Sequence, residues 1–311
     1  MKTNLALKND NQFSALVADM DGHRGSHTPL GTQHPYASPD PDLIAMIREQ
    51  WRRRQSWHKA EKALTLQAKS LCRRLCLVDM GLIGVELDAK QKTKVITATE
   101  RLFRAATTDS TDHTMAETAY AAMFPLLQAR DVLEDKRKQV EKELERMAKQ
   151  LPVYDFVQQV KGAGALTLAG IVGEAGDVGS YKTVSAFWKR MGLAVIGDGR
   201  QRKVSGVDAL DHGYSPRRRS LVWNLGECLT KAQIRKDPED EEKRVALGYY
   251  GQVYLERRAY EAERVSTLAH GHNRAKRYME KRFLRHLYSA WRGGHGSCET
   301  QSRRASPQNT A

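Results

Sequence analysis

The chain has 311 residues, with 51 Lys and Arg against 37 Asp and Glu, which gives a formal net charge of +14 and a pI near 9.6. Its length suffices for two domains, and its charge favours a polyanionic partner such as nucleic acid. No apolar run approaches the ~18 residues that a membrane span requires, so the sequence argues against a membrane protein.

The ends and the cysteines indicate a cytoplasmic protein. The first residues, MKTNLALKNDNQF, lack the long apolar core of a secretory signal. Cys72 and Cys76 lie four residues apart, and no His or Cys pair completes a zinc site with them. We therefore expect reduced thiols, and no cofactor is evident.

The first long helix is predicted to follow a flexible leader over residues 1–40, which is rich in Gly, His, Ser, Thr and Pro. Asp40 is a good N-cap, and Pro41 suits the first helical position. Gln50, Arg54 and Glu61 interrupt the apolar seam of this helix. The seam consists of Leu43, Ile47, Trp57, Leu64, Ala68, Leu71 and Leu75.

A second long helix is predicted to begin at the capping box Thr114–Glu117 and to end at Pro152. Its apolar residues recur every seven positions, which indicates a coiled coil. These residues are Leu126, Leu133, Val140 and Met147. Residues 41–151 are therefore interpreted as an antiparallel coiled-coil stalk, with a shorter helix between the two long ones.

Residues 152–292 are predicted to form a second, helical domain, and residues 293–311 a disordered tail. A short β-hairpin is expected to turn at Gly197-Asp198-Gly199. Ser215 and Pro216 start one helix, and the last helix runs from about Asn273 to Trp291. The predicted fold is mainly α, an antiparallel coiled-coil stalk followed by a helical domain with a helix-hairpin-helix and a short β-hairpin.

The stretch VKGAGALTLAG carries the most specific local pattern. A dinucleotide fingerprint would need a third glycine where Thr167 stands, and a strand before it, so that interpretation is disfavoured. A helix-hairpin-helix fits better, because Gly162 and Gly164 permit a tight turn whose backbone N–H groups can bind a phosphate beside Lys161. A plain turn between packed helices remains an alternative.

Basic residues are clustered. Nine Lys or Arg against two Glu lie between Arg48 and Arg74, and seven against one between Arg274 and Arg292. Such runs usually form solvated faces, but together with the glycine turn they indicate phosphate contacts. The candidate DNA-binding residues are Lys161, Gly162, Gly164, Arg200, Arg202, Lys203, Arg217, Arg218, Arg219, Arg274, Lys276 and Arg277.

Catalytic groups are less clear. No set of carboxylates makes a convincing metal site; Glu174 and Asp177 could pair at a helix end, although capping explains them better. Ser205, in KVSGVD, could attack a phosphodiester if Arg200, Arg202 and Lys203 neutralised the phosphate. The alternative is an ordinary surface serine.

The block VKGAGALTLAGIVGEAGDVGSYKTVSAFWKRMGLAV resembles the C-terminal domain of the DEDD-type insertion-sequence transposases, the IS-one-ten family. The blocks HGYSPRRRSL and AKRYMEKRFLRHLYSAWR resemble later parts of that domain. The arginine-rich helix from Leu43 resembles the helix that precedes the family's coiled coil. The resemblance implies a nucleoid-associated bacterial protein that forms a homo-oligomer through the coiled coil, binds DNA and a structured guide RNA, and exchanges DNA strands through a serine.

Two departures qualify this resemblance. The family's RNase-H-like domain, with its four acidic residues, would precede Leu43, where only the leader stands, so Mg²⁺ is implied only if another chain supplies that domain. An ungapped match to the family's serine reaches Arg200, and Ser205 requires an insertion of five residues. The leading hypothesis is a transposase-like DNA-binding protein, and the alternatives are a non-catalytic nucleic-acid-binding protein and a coiled-coil scaffold.

Overall fold

The computed structural model describes residues 39–108, 114–197, 199–240 and 244–293. The predicted leader up to residue 38 and the predicted tail from residue 294, with Cys298, lie outside the described residues. This described part of the chain is mainly helical, as predicted, and carries two small antiparallel hairpins. It divides into two compact units. The stalk unit comprises Gln50–Glu143, and the core unit comprises the described residues before and after it.

The elements follow one another along the chain with short connections. The stalk helices are α1 (Pro41–Asp79), α2 (Ala89–Thr107) and α3 (Thr114–Ala148). The core unit then contains α4 (Tyr154–Gln158), α5 (Ala165–Ala175), a 3₁₀ turn (Val178–Ser180), α6 (Val184–Arg190), β1 (Val195–Ile196), β2 (Gly199–Arg200), α7 (Asp208–His212), α8 (Pro216–Gln233), β3 (Ile234–Lys236), β4 (Arg244–Ala246), α9 (Tyr249–Ala262) and α10 (Leu268–Trp291).

Helix starts agree with the caps that the sequence indicates. Asp40 Oδ1 accepts a hydrogen bond from the N–H of Asp42 at 2.9 Å, and α1 begins at Pro41. Ser215 caps α8, whose first residue is Pro216. The capping box of Asp88 and Gln91, which starts α2, was not predicted, because the sequence before it shows no clear periodicity.

In the stalk unit, α1 and α3 run antiparallel and meet through charged residues at their centre. Arg137 Nε lies 2.7 Å from Glu61 Oε2, and Arg54 Nη2 lies 2.8 Å from Glu141 Oε1. Arg54 and Glu61 are the residues that interrupt the predicted α1 seam, and their partners face them from the other helix. The charged residues that interrupt the seam are therefore paired with opposite charges on α3. A coiled coil formed by these helices stays a prediction.

The predicted seam of α1 is partly wrong. Trp57, Leu64 and Leu75 are only half-buried, whereas Trp51 and Cys72 are buried instead. The difference arises because polar residues occupy the central inward positions, which a search for apolar residues passes over. Beyond this centre, a conventional apolar core forms from Ala68, Cys72, Cys76, Leu102, Ala106, Ala116, Ala119, Met123 and Leu127.

The core unit is built around α10, which packs against α9, α8, α6 and α4. Phe283, on its inward face, contacts the rings of Phe156 and Tyr250 with centroids 5.9 and 5.6 Å away. Burying such aromatic rings supplies much of the apolar area that stabilises the unit. The inward face of the last helix was predicted, and its start lies five residues earlier than predicted, at Leu268.

Both strand pairs are minimal. The predicted hairpin is present, with Val195 opposite Arg200 and Ile196 opposite Gly199, although Asp198 of its turn lies outside the described residues. A second hairpin pairs Ile234–Lys236 with Arg244–Ala246. It was not predicted because its charged strands, IRK and RVA, flank a sequence that is typical of a polar linker.

The glycine turn between α4 and α5 packs closely on α8. Gly162 has a φ of +90°, and a Cβ added there would lie 2.6 Å from the carbonyl oxygen of Cys228. Gly164 is extended, and a Cβ there would meet nothing within 4 Å. Gly162 is therefore required by backbone packing, whereas Gly164 is only the N-cap of α5.

We predict that Gly162→Ala lowers the free energy of unfolding by about 2 kcal/mol or more, because the added methyl group combines a steric clash with an unfavourable φ. The matched variant Gly164→Ser is expected to change it by less than about 0.5 kcal/mol, since serine is a favoured N-cap. Urea denaturation measures both. Equal losses in the two variants would contradict the packing role of Gly162.

Candidate nucleic-acid interface

The first turn of α8 carries three consecutive arginines, Arg217, Arg218 and Arg219, which follow the cap residue Ser215 and Pro216. The N-terminal end of a helix has a partial positive charge, so cations there are unfavourable unless anions compensate them. No acidic residue occurs in this first turn. The compensating carboxylates must therefore come from other elements.

Glu174, in the last turn of α5, is the first of these carboxylates. Its side chain is 2% exposed, and Arg217 Nε lies 2.7 Å from its Oε1. Arg218 Nε lies 3.6 Å from Oε2. Arg190 Nε donates a hydrogen bond to the backbone oxygen of Glu174 at 3.1 Å. Two guanidinium groups thus face the carboxylate of Glu174 and a third bonds its backbone oxygen, and we call Arg190, Arg217, Arg218 and Glu174 the arginine site.

The electrostatics of this site show an excess of positive charge. Burial, together with the nearby Arg190, lowers the pKa of Arg218, and Glu174 only partly opposes this. The Tyr181 hydroxyl donates to the backbone oxygen of Ala175 at 2.7 Å. Burial raises the pKa of Tyr181, while Arg190, Arg218 and Arg48 act in the opposite direction. Arg48, at the start of α1, therefore also contributes to the positive potential here.

Glu280 of α10 is the second carboxylate, and it is fully buried. Arg219 Nη1 lies 3.0 Å from its Oε2, but among the described residues neither oxygen accepts a well-aligned hydrogen bond. Gly226 makes room for it, since a Cβ there would lie 2.5 Å from Oε1. Burial raises the pKa of Glu280 to about 7, against the opposing influence of Arg219, Lys276 and Arg277.

Gln201 fixes the first hairpin beside these arginines. Its side chain is buried, its Oε1 accepts from the N–H of Ala194, and its Nε2 donates to the backbone oxygens of Lys189 and His212. Arg277 Nη2 donates to the oxygen of Ala194 at 3.0 Å. The hairpin is thus tied to α6, α7 and α10 at its base.

The structure therefore brings several of the predicted contact residues together. Arg200 lies close enough to Arg277 to lower its pKa, although burial is the larger cause and Arg219 the larger of the charges. A Cβ added at Gly192, at the base of the hairpin, would lie 3.3 Å from the Cβ of Arg219. Arg202 and Lys203 follow on the exposed segment after β2. The hairpin residue Arg200 thus forms one basic face with Arg219 and Arg277.

The glycine turn does not belong to this face. Gln233, the last residue of α8, donates a side-chain hydrogen bond to the backbone oxygen of Lys161 at 2.7 Å. The turn also packs on Cys228, which at 1.5 Å per residue lies about 16 Å along α8 from Arg217. The turn therefore lies beside the C-terminal half of α8, away from Arg217, and close packing on α8 accounts for it.

Two further predicted contact residues are engaged inside the core unit. Lys276 is fully buried, bonded to Glu227 and positioned over the Trp223 ring, so its predicted contact with DNA is wrong. Arg274 is half-exposed, and its Nε lies 2.7 Å from Glu261 Oε2. Two basic residues of the last helix are thus engaged in ion pairs within the core unit.

Ser205 is exposed on the segment between β2 and α7. Gly206, which follows it, has a φ of +78°, so the chain turns sharply there. Asp177 is a cap, as expected, because it accepts from Gly179 N and from Trp291 Nε1, each at 2.8 Å. No group of three or more His, Cys, Asp or Glu suitable for a metal ion occurs within the described part of the chain.

Sequence reasoning missed Gln201 and Glu280. A signal for Glu280 was present, because it shares a helix face with the apolar residues Phe283 and Leu287. A charged residue at such a position must be paired or neutral. Gln201 gives no such signal, since its role depends on three backbone groups that only the fold brings together.

The chain was compared with protein-family models, curated proteins and solved structures, and none of the three comparisons gave a match. Over the residues that the structure describes, no helix combines the length and the apolar character needed to cross a membrane.

We predict a pH dependence from Glu280. Because its pKa is raised above that of the unfolded chain, the native state binds the extra proton between about pH 4.5 and 7, and stability falls as the pH rises through this window. Glu280→Gln removes this slope. The free energy of unfolding of Glu280→Gln minus that of wild type should therefore be roughly 1–3 kcal/mol larger at pH 8 than at pH 5.

Urea denaturation at the two pH values measures this difference. The exposed Glu256, on α9, provides the control variant Glu256→Gln, which should leave the wild-type slope intact. Parallel pH curves for wild type and Glu280→Gln would show that Glu280 titrates normally.

Proposed function

We propose that this chain is a transposase-like protein that binds DNA through the arginine site and the first hairpin, and that it acts in DNA transposition or recombination. The observation that supports the binding role most is the grouping of Arg217 and Arg218 at the buried carboxylate of Glu174, with Arg190 on its backbone oxygen. Arg200, which lies near Arg277, and the exposed Arg202 add further positive charge in the core unit.

The chemistry of the face suits phosphate groups. Guanidinium groups bind phosphate oxygens through pairs of N–H donors, and they stay charged at any physiological pH. Arg217 is 58% exposed while paired with Glu174, so a phosphate can approach it without displacing the carboxylate. Contacts of this kind fix the position of a duplex and carry no sequence information.

The remainder of the proposal comes from the family resemblance. In it, strand exchange uses Ser205 as the nucleophile, the stalk joins copies into an oligomer, a structured guide RNA binds as well, and the protein associates with the bacterial nucleoid. Any Mg²⁺ would be held by an acidic domain on another chain. A non-catalytic nucleic-acid-binding protein is the second candidate, favoured by the exposed position of Ser205 on a connecting segment.

We predict that the triple variant Arg200→Gln, Arg202→Gln, Arg217→Gln binds a 20-bp DNA duplex at least tenfold more weakly than wild type at about 100 mM salt. Loss of up to three phosphate contacts should also reduce the slope of log K against log salt by up to about 2.7. Fluorescence anisotropy across a salt series measures both quantities.

The control triple is Lys231→Gln, Arg235→Gln, Lys236→Gln, which removes the same charge from exposed positions at the other end of α8. It should weaken binding less than threefold. If both triple variants lost the same affinity for DNA, net charge alone would explain the effect. If the first triple variant bound DNA as tightly as wild type, the proposed interface would be overturned.

The catalytic part has a separate test. With DNA substrates that carry insertion-element ends, wild type is expected to form a covalent protein–DNA adduct that survives denaturation, and Ser205→Ala is expected to form none. The exposed Ser220 of α8 gives the control Ser220→Ala, which should keep the adduct. If Ser205→Ala still formed adducts, a residue other than Ser205 would be the nucleophile. If wild type bound DNA but formed no adduct, the non-catalytic nucleic-acid-binding protein would be favoured.

A further inference from the structure

The outer face of α1 in the stalk unit is basic and bears no carboxylate. Between Gln50 and Val78 the helix has a single acidic residue, Glu61. Glu61 faces α3 and pairs there with Arg137. The acidic charge of this segment is therefore turned inward, and the outward charges that remain are cationic.

Four side chains define what we call the outer basic face: Lys59, Lys62, Arg73 and Arg74, all exposed. Lys59 lies two residues before Glu61, and Arg74 two residues after the buried Cys72. At 100° per residue, each lies about 160° around the helix from that inward neighbour. The face spans about 22 Å along the axis, the length of six or seven base pairs.

No carboxylate of α1 itself neutralises this face, and Glu100 of α2, which lines a groove together with Arg73, pairs with Lys69. A solvent-exposed helix usually pairs its cations with carboxylates three or four positions away. The helical neighbours of Lys59, Lys62, Arg73 and Arg74 at those spacings include no Asp or Glu. On α3, by contrast, Lys138 pairs with Glu134 at 2.7 Å.

Two other cations of the segment pair with carboxylates of other helices: Arg54 with Glu141, and Lys69 with Glu100 of α2 at 2.7 Å. The structure thus separates the basic run into an inward set that holds the helices together and an outward set that carries only positive charge. In the unbound protein the cations of the outward set repel one another, and a bound polyanion would relieve this repulsion.

We infer that the outer basic face of α1 binds the phosphate backbone of a nucleic-acid duplex, as a second contact surface in addition to the arginine site. The partner is recognised by its charge spacing and not by its sequence, because the face presents flexible lysines and arginines along a straight helix. The inference does not depend on the proposed function, since its residues belong to the stalk unit.

The test uses the full chain and two variants, Lys59→Gln/Lys62→Gln and Arg73→Gln/Arg74→Gln. The matched control is Lys136→Gln/Lys142→Gln, two exposed lysines of α3, whose outer face also carries the exposed carboxylates Asp131 and Asp135. Affinity for a 20-bp DNA duplex and for an RNA hairpin of equal length is measured by anisotropy over a salt series. Circular dichroism verifies that every variant keeps its helices.

Each α1 variant is expected to bind at least fivefold more weakly than wild type, and its salt slope should decrease by about 1.8, which corresponds to two lost phosphate contacts. The control should change affinity less than twofold. A loss on DNA, on RNA or on both supports the inference and identifies which duplex the face binds.

Equal losses in the α1 and α3 variants would overturn the inference, because net charge alone would then explain the effect. The inference would also be overturned if the α1 variants kept their nucleic-acid affinity. Loss of binding to vesicles rich in anionic lipid would then identify a membrane surface as the partner of this face. The outcome is separable from the proposed function, because the triple variant of Arg200, Arg202 and Arg217 tests the core unit independently.

Discussion

Three arginines at the positive end of α8 impose the constraint on which the core unit depends. Their charges oppose the helix dipole, and the fold compensates them with two buried carboxylates from other elements. Glu174 brings the end of α5 to Arg217 and Arg218, and Glu280 brings α10 to Arg219. Breaking a buried ion pair leaves an uncompensated charge, so each carboxylate also holds two helices in register.

The same principle organises the stalk unit. Glu61 and Glu141 lie between α1 and α3, where Arg54 and Arg137 pair with them. These charged residues would weaken an apolar seam if they were unpaired, but here they form ion pairs that join two antiparallel helices. In both units, carboxylates that lie between helices pair with arginines of neighbouring elements.

Local signals in the sequence predicted much of the fold. Asp40, Ser215 and Pro216 mark helix starts correctly, and two glycines mark the first hairpin, because these residues act through their own backbone or nearest neighbours. The α1 seam was partly wrong because its central positions are polar, and the second hairpin was missed because its strands are charged. Periodicity detects apolar faces only.

The candidate site was less predictable, since its members depend on distant partners. The sequence predicted Arg200, Arg217 and the glycine turn as contacts of the same partner, but the turn packs on the C-terminal half of α8, away from Arg217. Lys276 looks like a surface lysine until Glu227 and Trp223 are seen to enclose it.

Hydrogen–deuterium exchange of the full chain, with and without a 20-bp DNA duplex, tests directly whether DNA binds at the arginine site and the first hairpin. We predict slower exchange on binding in residues 184–219 and no change around the turn at residues 159–165. Protection of the turn alone, or none in residues 184–219, would contradict this prediction.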